Sequence, residues 1–214
     1  MGHRESPGVR AVKTAVTTLL LAAAVSSFVT AGSGALEWPG RAAVLIVLGL
    51  ALTVPADWFL APIDNSRTFV WGLAFFLGGY LIYGIAFLVA VSDGINVFGS
   101  VPLGLLVAVY LPAAAVGIAQ YTTLKTLPKG LRIPVIAYMV VVSNLLAAGV
   151  LYGADRYADA PFRASLVLFA VVMIYLSDSL IAHNLFRRPL RAPQLSIMPT
   201  YYLGQIAVVL ALIL

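Results

Sequence analysis

The chain has 214 residues, of which 62% are hydrophobic and only 10% charged, and its mean hydropathy is +1.01. Soluble domains carry roughly a quarter charged residues, so this composition excludes a surface facing water and implies an integral membrane protein, built as one helical domain over residues 1–214. The absence of cysteine excludes disulfides and thiolate metal sites. His3 and His183 are too few and too far apart for a metal site, and no cofactor is expected.

Residues 1–10 are polar and basic. The apolar run 11–31 is long enough to cross a ~30 Å hydrocarbon layer at ~1.5 Å per residue. A secretory signal peptide is the rival reading of this segment, because Arg4, Arg10 and Lys13 precede a short Leu/Ala core and Val29-Thr30-Ala31 resembles a cleavage site. A Gly-rich turn at 33–40 leads to a second span, 42–60, which contains Pro55 and ends in Ala56-Asp57-Trp58-Phe59-Leu60. After a short polar loop, 61–68, the third span, 69–91, is aromatic along its length, with Phe75, Phe76, Tyr80, Tyr83 and Phe87. A loop at 92–100 precedes the fourth span, 101–121, which Pro112 is expected to break. Lys125, Lys129 and Arg132 lie in the next loop, and the fifth span, 133–152, contains Tyr138 and Asn144. The loop 153–161 carries Asp155, Arg156 and Asp159, the sixth span covers 162–186, and Arg187, Arg188 and Arg191 lead to the seventh, 199–214. The fold class expected is an all-α polytopic transmembrane bundle of about seven spans.

The +5 net charge is sorted by side. Arg4, Arg10, Lys13, Arg67, Lys125, Lys129, Arg132, Arg187, Arg188 and Arg191 fall on one side of seven alternating spans, and only Arg41, Arg156 and Arg163 on the other. The positive-inside rule then predicts a cytoplasmic N-terminus and an external C-terminus. The cations serve topology and attraction to anionic lipid, and nucleic acid is not an expected partner.

The sixth span holds Ser177, Asp178 and Ser179 inside a run of apolar residues. An ionisable residue there costs several kcal/mol unless it faces a bundle interior or a wet cavity, so Asp178 is a functional candidate. With the predicted orientation, Asp57 and Asp178 both lie near the cytoplasmic ends of inward-running spans. Tyr138, Tyr201, Tyr202 and Gln205 fall in the same half, with Lys13 at the inner end of the first span. Tyr80 and Tyr83 share one helical face, as do Tyr201 and Gln205. Pro55 lacks a backbone donor and leaves the Ala51 carbonyl unpaired. A kinked, wet pocket is expected, with the two carboxyl groups facing each other across it.

Ordinary readings stand beside these. Tyr110, Tyr121 and Tyr152 fit interfacial anchors. Asp57 could meet headgroups at the end of its span, and Ser177 or Ser179 could bond carbonyls of its own helix. His183 suits the interface, and Asn144 suits a hydrogen bond between helices.

Four separated blocks resemble the YhhN family of integral membrane proteins, whose characterised members are lysoplasmalogenases. Thr53-Val54-Pro55-Ala56-Asp57 with Trp58-Phe59-Leu60 is similar to the family's Ser-x-x-Gly-Asp-x-x-Leu. FVWGLAFFLGGYLIYGIAF, from Phe69 to Phe87, resembles F-x-x-G-x-x-x-F followed by His-x-x-Tyr, with Tyr83 in the tyrosine place. LFAVVMIYLSDSLIAHNLF, from Leu168 to Phe186, resembles L-F-x-x-S-D-S-x-x-A-x-x-x-F, and Tyr201-Tyr202-Leu203-Gly204-Gln205 is similar to Tyr-Tyr-x-x-Gln. Thr53 replaces Ser, Ala56 replaces Gly, and Tyr80 stands in the histidine's place. The family usually has eight spans, and Lys13 with Thr14 looks like the start of its second.

The resemblance implies a hydrolase that cleaves the vinyl ether of a single-chain lysophospholipid, releasing a fatty aldehyde and a glycerophospho-headgroup, with membrane lipid as its other contact. That activity fits the layer found above, with Asp57 and Asp178 as acid and base and Lys13, Thr53, Tyr80, Tyr83, Tyr138, Ser177, Tyr201 and Gln205 around them. Two carboxyls in one low-dielectric pocket tend to divide the roles of acid and carboxylate. An alternative of another class is a proton-coupled transporter or sensor with an intramembrane Asp/Tyr relay, whose mark would be an internal repeat or paired broken helices. A purely structural membrane protein is a third reading and leaves Asp178 unexplained.

Overall fold

In hydrocarbon a backbone has no partner but itself, so each apolar run closes its own hydrogen bonds as a helix. The computed structural model describes residues 7–31, 38, 40–60, 66–91 and 101–214. The first six residues, most of the Gly-rich turn and the loops at 61–65 and 92–100 lie outside the described residues. Seven described helices are long and apolar enough to cross a membrane. They are α1 (Pro7–Ala31), α2 (Gly40–Leu60), α3 (Ser66–Val91), α4 (Leu103–Thr122), α5 (Arg132–Arg156), α6 (Pro161–Phe186) and α7 (Pro193–Ile213), with a short 3₁₀ turn at Lys129–Leu131 before α5. Among the described residues there is no strand.

Several features of the helices differ from expectation, α1 beginning already at Pro7 and α3 at Ser66. Pro112 does not break α4, which runs through it, as α2 runs through Pro55. A proline forfeits one donor and crowds one carbonyl, whereas interrupting the helix in lipid would orphan several groups. The last helix begins at Pro193, not near Pro199, because a proline in the first turn gives up an N–H that has no helical partner anyway. α5 continues past residue 152 to Arg156, whose guanidinium donates to the Ala90 carbonyl at 2.6 Å and pairs with Asp155 at 3.0 Å.

Six helices close into a ring in the spatial order α1, α2, α3, α5, α6, α7 and back to α1, while α4 docks outside the ring on α5. The α2–α3 contact is the most extensive. Gly49 and Gly79 meet there so closely that a Cβ on Gly79 would stand 2.9 Å from the Gly49 carbonyl oxygen. Small residues of this kind let two backbones approach where no solvent-driven force presses them together. Side chains such as Leu19, Leu111, Ile118 and Val140 point outward and form an apolar belt suited to lipid.

At one end of the ring, where α3, α5 and α7 finish and α2 and α6 begin, Trp38 is the keystone. Its indole N–H donates to the Ala211 carbonyl at 2.7 Å, and its ring stacks on Tyr152 with centroids 5.0 Å apart. Tyr152 is thus a buried packing residue and not an interfacial anchor. Tyr110 departs from expectation likewise: partway along α4 its hydroxyl donates to Asn144 Oδ1 at 3.1 Å, making the interhelical bond expected of Asn144. The candidate site lies toward the opposite end.

Candidate functional site

Asp57 sits one turn before the end of α2 and is 5% exposed. A carboxyl that deep needs donors, and two other helices supply them. Thr17 of α1, itself fully buried, donates its hydroxyl to Asp57 Oδ2, and Tyr201 of α7 donates to the same oxygen at 3.2 Å. The Tyr201 ring is held by Phe76 edge-on at 5.7 Å and by Tyr202 at 5.1 Å, so its hydroxyl is aimed by packing. Lys13 stands one turn before Thr17 on the same face of α1, and its carbonyl lies 3.3 Å from the Thr17 hydroxyl. Thr53, one turn before Asp57 and buried, spends its hydroxyl on the Leu50 carbonyl at 2.8 Å and borders Tyr201. Beside this group Tyr83 donates to Gln205 Oε1 at 3.0 Å, tying α3 to α7 through two fully buried side chains.

Asp178 faces a different space. It lies two turns inside the end of α6 and lines a cavity of ≈ 50 Å³ whose other walls include Tyr138, Gln120, Tyr175, Phe76 and Leu73. The Tyr138 side chain is within hydrogen-bonding range of its carboxyl, yet Asp178 Oδ2 is buried with no hydrogen-bond partner among the described residues. Tyr175, on the same face of α6, donates to Gln120 Oε1 at 3.1 Å and closes the cavity on the α4 side.

Tyr80 joins the two regions. It is fully buried and is the electrostatic neighbour of both Asp57 and Asp178. Its ring packs 6.3 Å from Tyr83 and 6.2 Å from Tyr138, so an aromatic row runs from the Gln205 side to the Asp178 cavity. Its hydroxyl has no hydrogen-bond partner among the described residues.

The polar residues singled out from the sequence therefore gather toward one end of the bundle, but not around one opening. Asp57 does not line the Asp178 cavity, so the expectation of two carboxyls facing each other across a single pocket is corrected: Tyr80 is their shared neighbour. Ser177 turns away from the cavity and donates to the Ile197 carbonyl of α7 at 3.2 Å, while Ser179 bonds its own helix at the Tyr175 carbonyl, 2.7 Å away. Thr17, Gln120 and Tyr175 were not foreseen. Two had a signal: Thr17 follows Lys13 by one turn, and Tyr175 precedes Asp178 by one turn, each on the face that carries the recognised residue.

Nothing matched when the chain was compared with curated proteins and with solved structures. The family model described as the YhhN family matches residues 9–212, nearly the whole chain and all seven spans. This multi-pass membrane protein belongs to the YhhN family.

Proposed function

We propose that the protein is a membrane-embedded hydrolase of the lysoplasmalogenase kind, cleaving the vinyl ether of a single-chain lysophospholipid to a fatty aldehyde and a glycerophospho-headgroup. The observation that carries this reading is the inequality of the two carboxyls. Asp57 accepts two hydroxyl hydrogen bonds, the pattern suited to an acceptor-only carboxylate. Asp178 lines a small, mainly apolar cavity, and one of its carboxyl oxygens is buried with no hydrogen-bond partner among the described residues.

Vinyl-ether hydrolysis needs that division. Asp178 gives a proton to the alkene carbon remote from oxygen, and the π electrons form the new C–H bond. The adjacent carbon becomes an oxocarbenium ion, which the charge left on Asp178 and the fixed charge of Asp57 stabilise. Water adds to that carbon and passes a proton to Asp178. The resulting hemiacetal collapses as its hydroxyl proton goes to the glycerol oxygen, releasing aldehyde and alcohol, with one water consumed. In the predicted orientation the substrate enters from the inner leaflet with its headgroup beside Lys13 and the basic loops. Esters and saturated ethers lack the alkene that accepts the proton and should not react.

The test is aldehyde release by purified protein from a panel of vinyl-ether, saturated-ether and ester lysolipids. Asp178→Asn and Asp57→Asn keep side-chain volume while removing proton transfer or charge, so each should cost roughly 10²–10⁴-fold in turnover without loss of folded protein. A folded wild-type sample that leaves every vinyl ether intact, or an Asp178→Asn variant with undiminished turnover, refutes the proposal.

A further inference from the structure

The cavity beside Asp178 is too small for a lipid tail. At ≈ 50 Å³ it holds about two waters at the ~30 Å³ each occupies in the liquid. That leaves room for little beyond the reacting atoms, and a long alkenyl chain has to lie elsewhere. A second and much larger hollow of ≈ 480 Å³ runs along the outer face of the α4–α5 contact. Its walls are mainly apolar, and its rims, Ile118 and Val140, are 65% and 63% exposed, so it opens toward the surrounding hydrocarbon.

The two spaces share a wall. Met139 lines both. Next to it, Ser143 lines the groove and borders Tyr175, whose hydroxyl donates to Gln120 on the cavity side. Methionine is unbranched and has three rotatable bonds, so it can swing aside where a branched residue would block. The flanking Gln120–Tyr175 bond holds α4 and α6 in register while it does so.

We propose that the α4–α5 groove seats the hydrocarbon tail of the substrate, with Met139 as the movable partition between tail groove and Asp178 cavity. This rests on the hydrolase reading above and deepens it: groove length, not the acid cavity, sets the tail-length preference. Ala114 and Val140 line the groove and face outward, so enlarging them fills the groove without disturbing the core.

The experiment measures kcat/KM of wild type, Ala114→Phe and Val140→Trp on vinyl-ether lysophospholipids with short and with long tails. Val116→Phe, on the exposed face of α4 turned away from the groove-lining residues, is the control. In parallel, the rise in Tm given by a long-tailed saturated-ether lysophospholipid, which is not cleaved, reports tail binding without turnover. The expected result is a tenfold or greater fall in the long-to-short ratio for both filled variants, an unchanged ratio for Val116→Phe, and a smaller Tm rise for Ala114→Phe than for wild type. Active, folded variants with an unaltered tail-length profile overturn the groove assignment and leave the hydrolase reading standing. If wild type cleaves no vinyl ether, the hydrolase reading falls instead. The Tm arm alone then decides, and equal rises in wild type and Ala114→Phe overturn the tail site.

Discussion

The two hydroxyls on Asp57 offer the sharpest perturbation. Tyr201→Phe removes one donor and leaves the ring, with its contacts to Phe76 and Tyr202, in place. Thr17→Val removes the other at a fully buried position with little change of shape. A hydrogen bond to a charged acceptor is worth about 1.5–3 kcal/mol, so each single variant should lose that much stability while the remaining hydroxyl still holds the carboxylate. Removing both strips two donors from a carboxyl that is only 5% exposed, and the double loss should exceed the sum of the singles by about 0.5–3 kcal/mol. Adding Asp57→Asn to the double variant removes the charge and should recover most of the excess. The assay is reversible unfolding of the four cycle members and the triple variant in mixed micelles, followed by tryptophan fluorescence, with aldehyde release measured on the same samples. Strict additivity, or a Tyr201→Phe protein as stable and active as wild type, would show that Asp57 does not depend on these donors, and the division of roles between the two aspartates would fall with it.

Tyr80→Phe deletes a hydroxyl that is buried without a partner among the described residues, so stability should hold within about 1 kcal/mol and turnover should fall tenfold or less, about 1.4 kcal/mol of barrier. A loss as large as that of an aspartate would make Tyr80 a principal proton donor. Reporters fused to the C-terminus should read the extracytoplasmic side and those inserted after Lys129 the cytoplasm; the opposite pattern would move the Asp57–Asp178 layer to the other leaflet. Gly149→Ala places a Cβ 2.5 Å from Val171 Cγ1 and should cost about 1–3 kcal/mol, partly regained with Val171→Ala; a neutral Gly149→Ala would show that α5 and α6 are not packed that closely.

The resemblance through Asp57, Asp178 and the Tyr201–Gln205 block was legible because motif residues keep their order along the chain whatever their surroundings. Their grouping toward one end followed from span direction alone, since alternating helices carry residues at known distances from their ends to predictable depths. The details of Tyr110 and Tyr152 were not legible in the same way. A tyrosine some residues inside a span reads alike whether its hydroxyl meets headgroups or, as with Tyr110, a neighbouring asparagine.

What the sequence determined by itself is the solvent, the seven spans and the membership of Asp178 in a membrane interior. These follow from length and hydropathy, and a helix in hydrocarbon must satisfy its backbone alone, segment by segment. Which polar groups meet was decided by tertiary structure. Thr17 reaches Asp57, Tyr138 rather than Asp57 shares the cavity with Asp178, and Met139 parts two hollows, because each helix is rotated and pressed to a particular distance by contacts such as Gly49 on Gly79. Those contacts join residues far apart in the chain, and a few tenths of an ångström in helix spacing set whether a hydroxyl finds a carboxylate or a void.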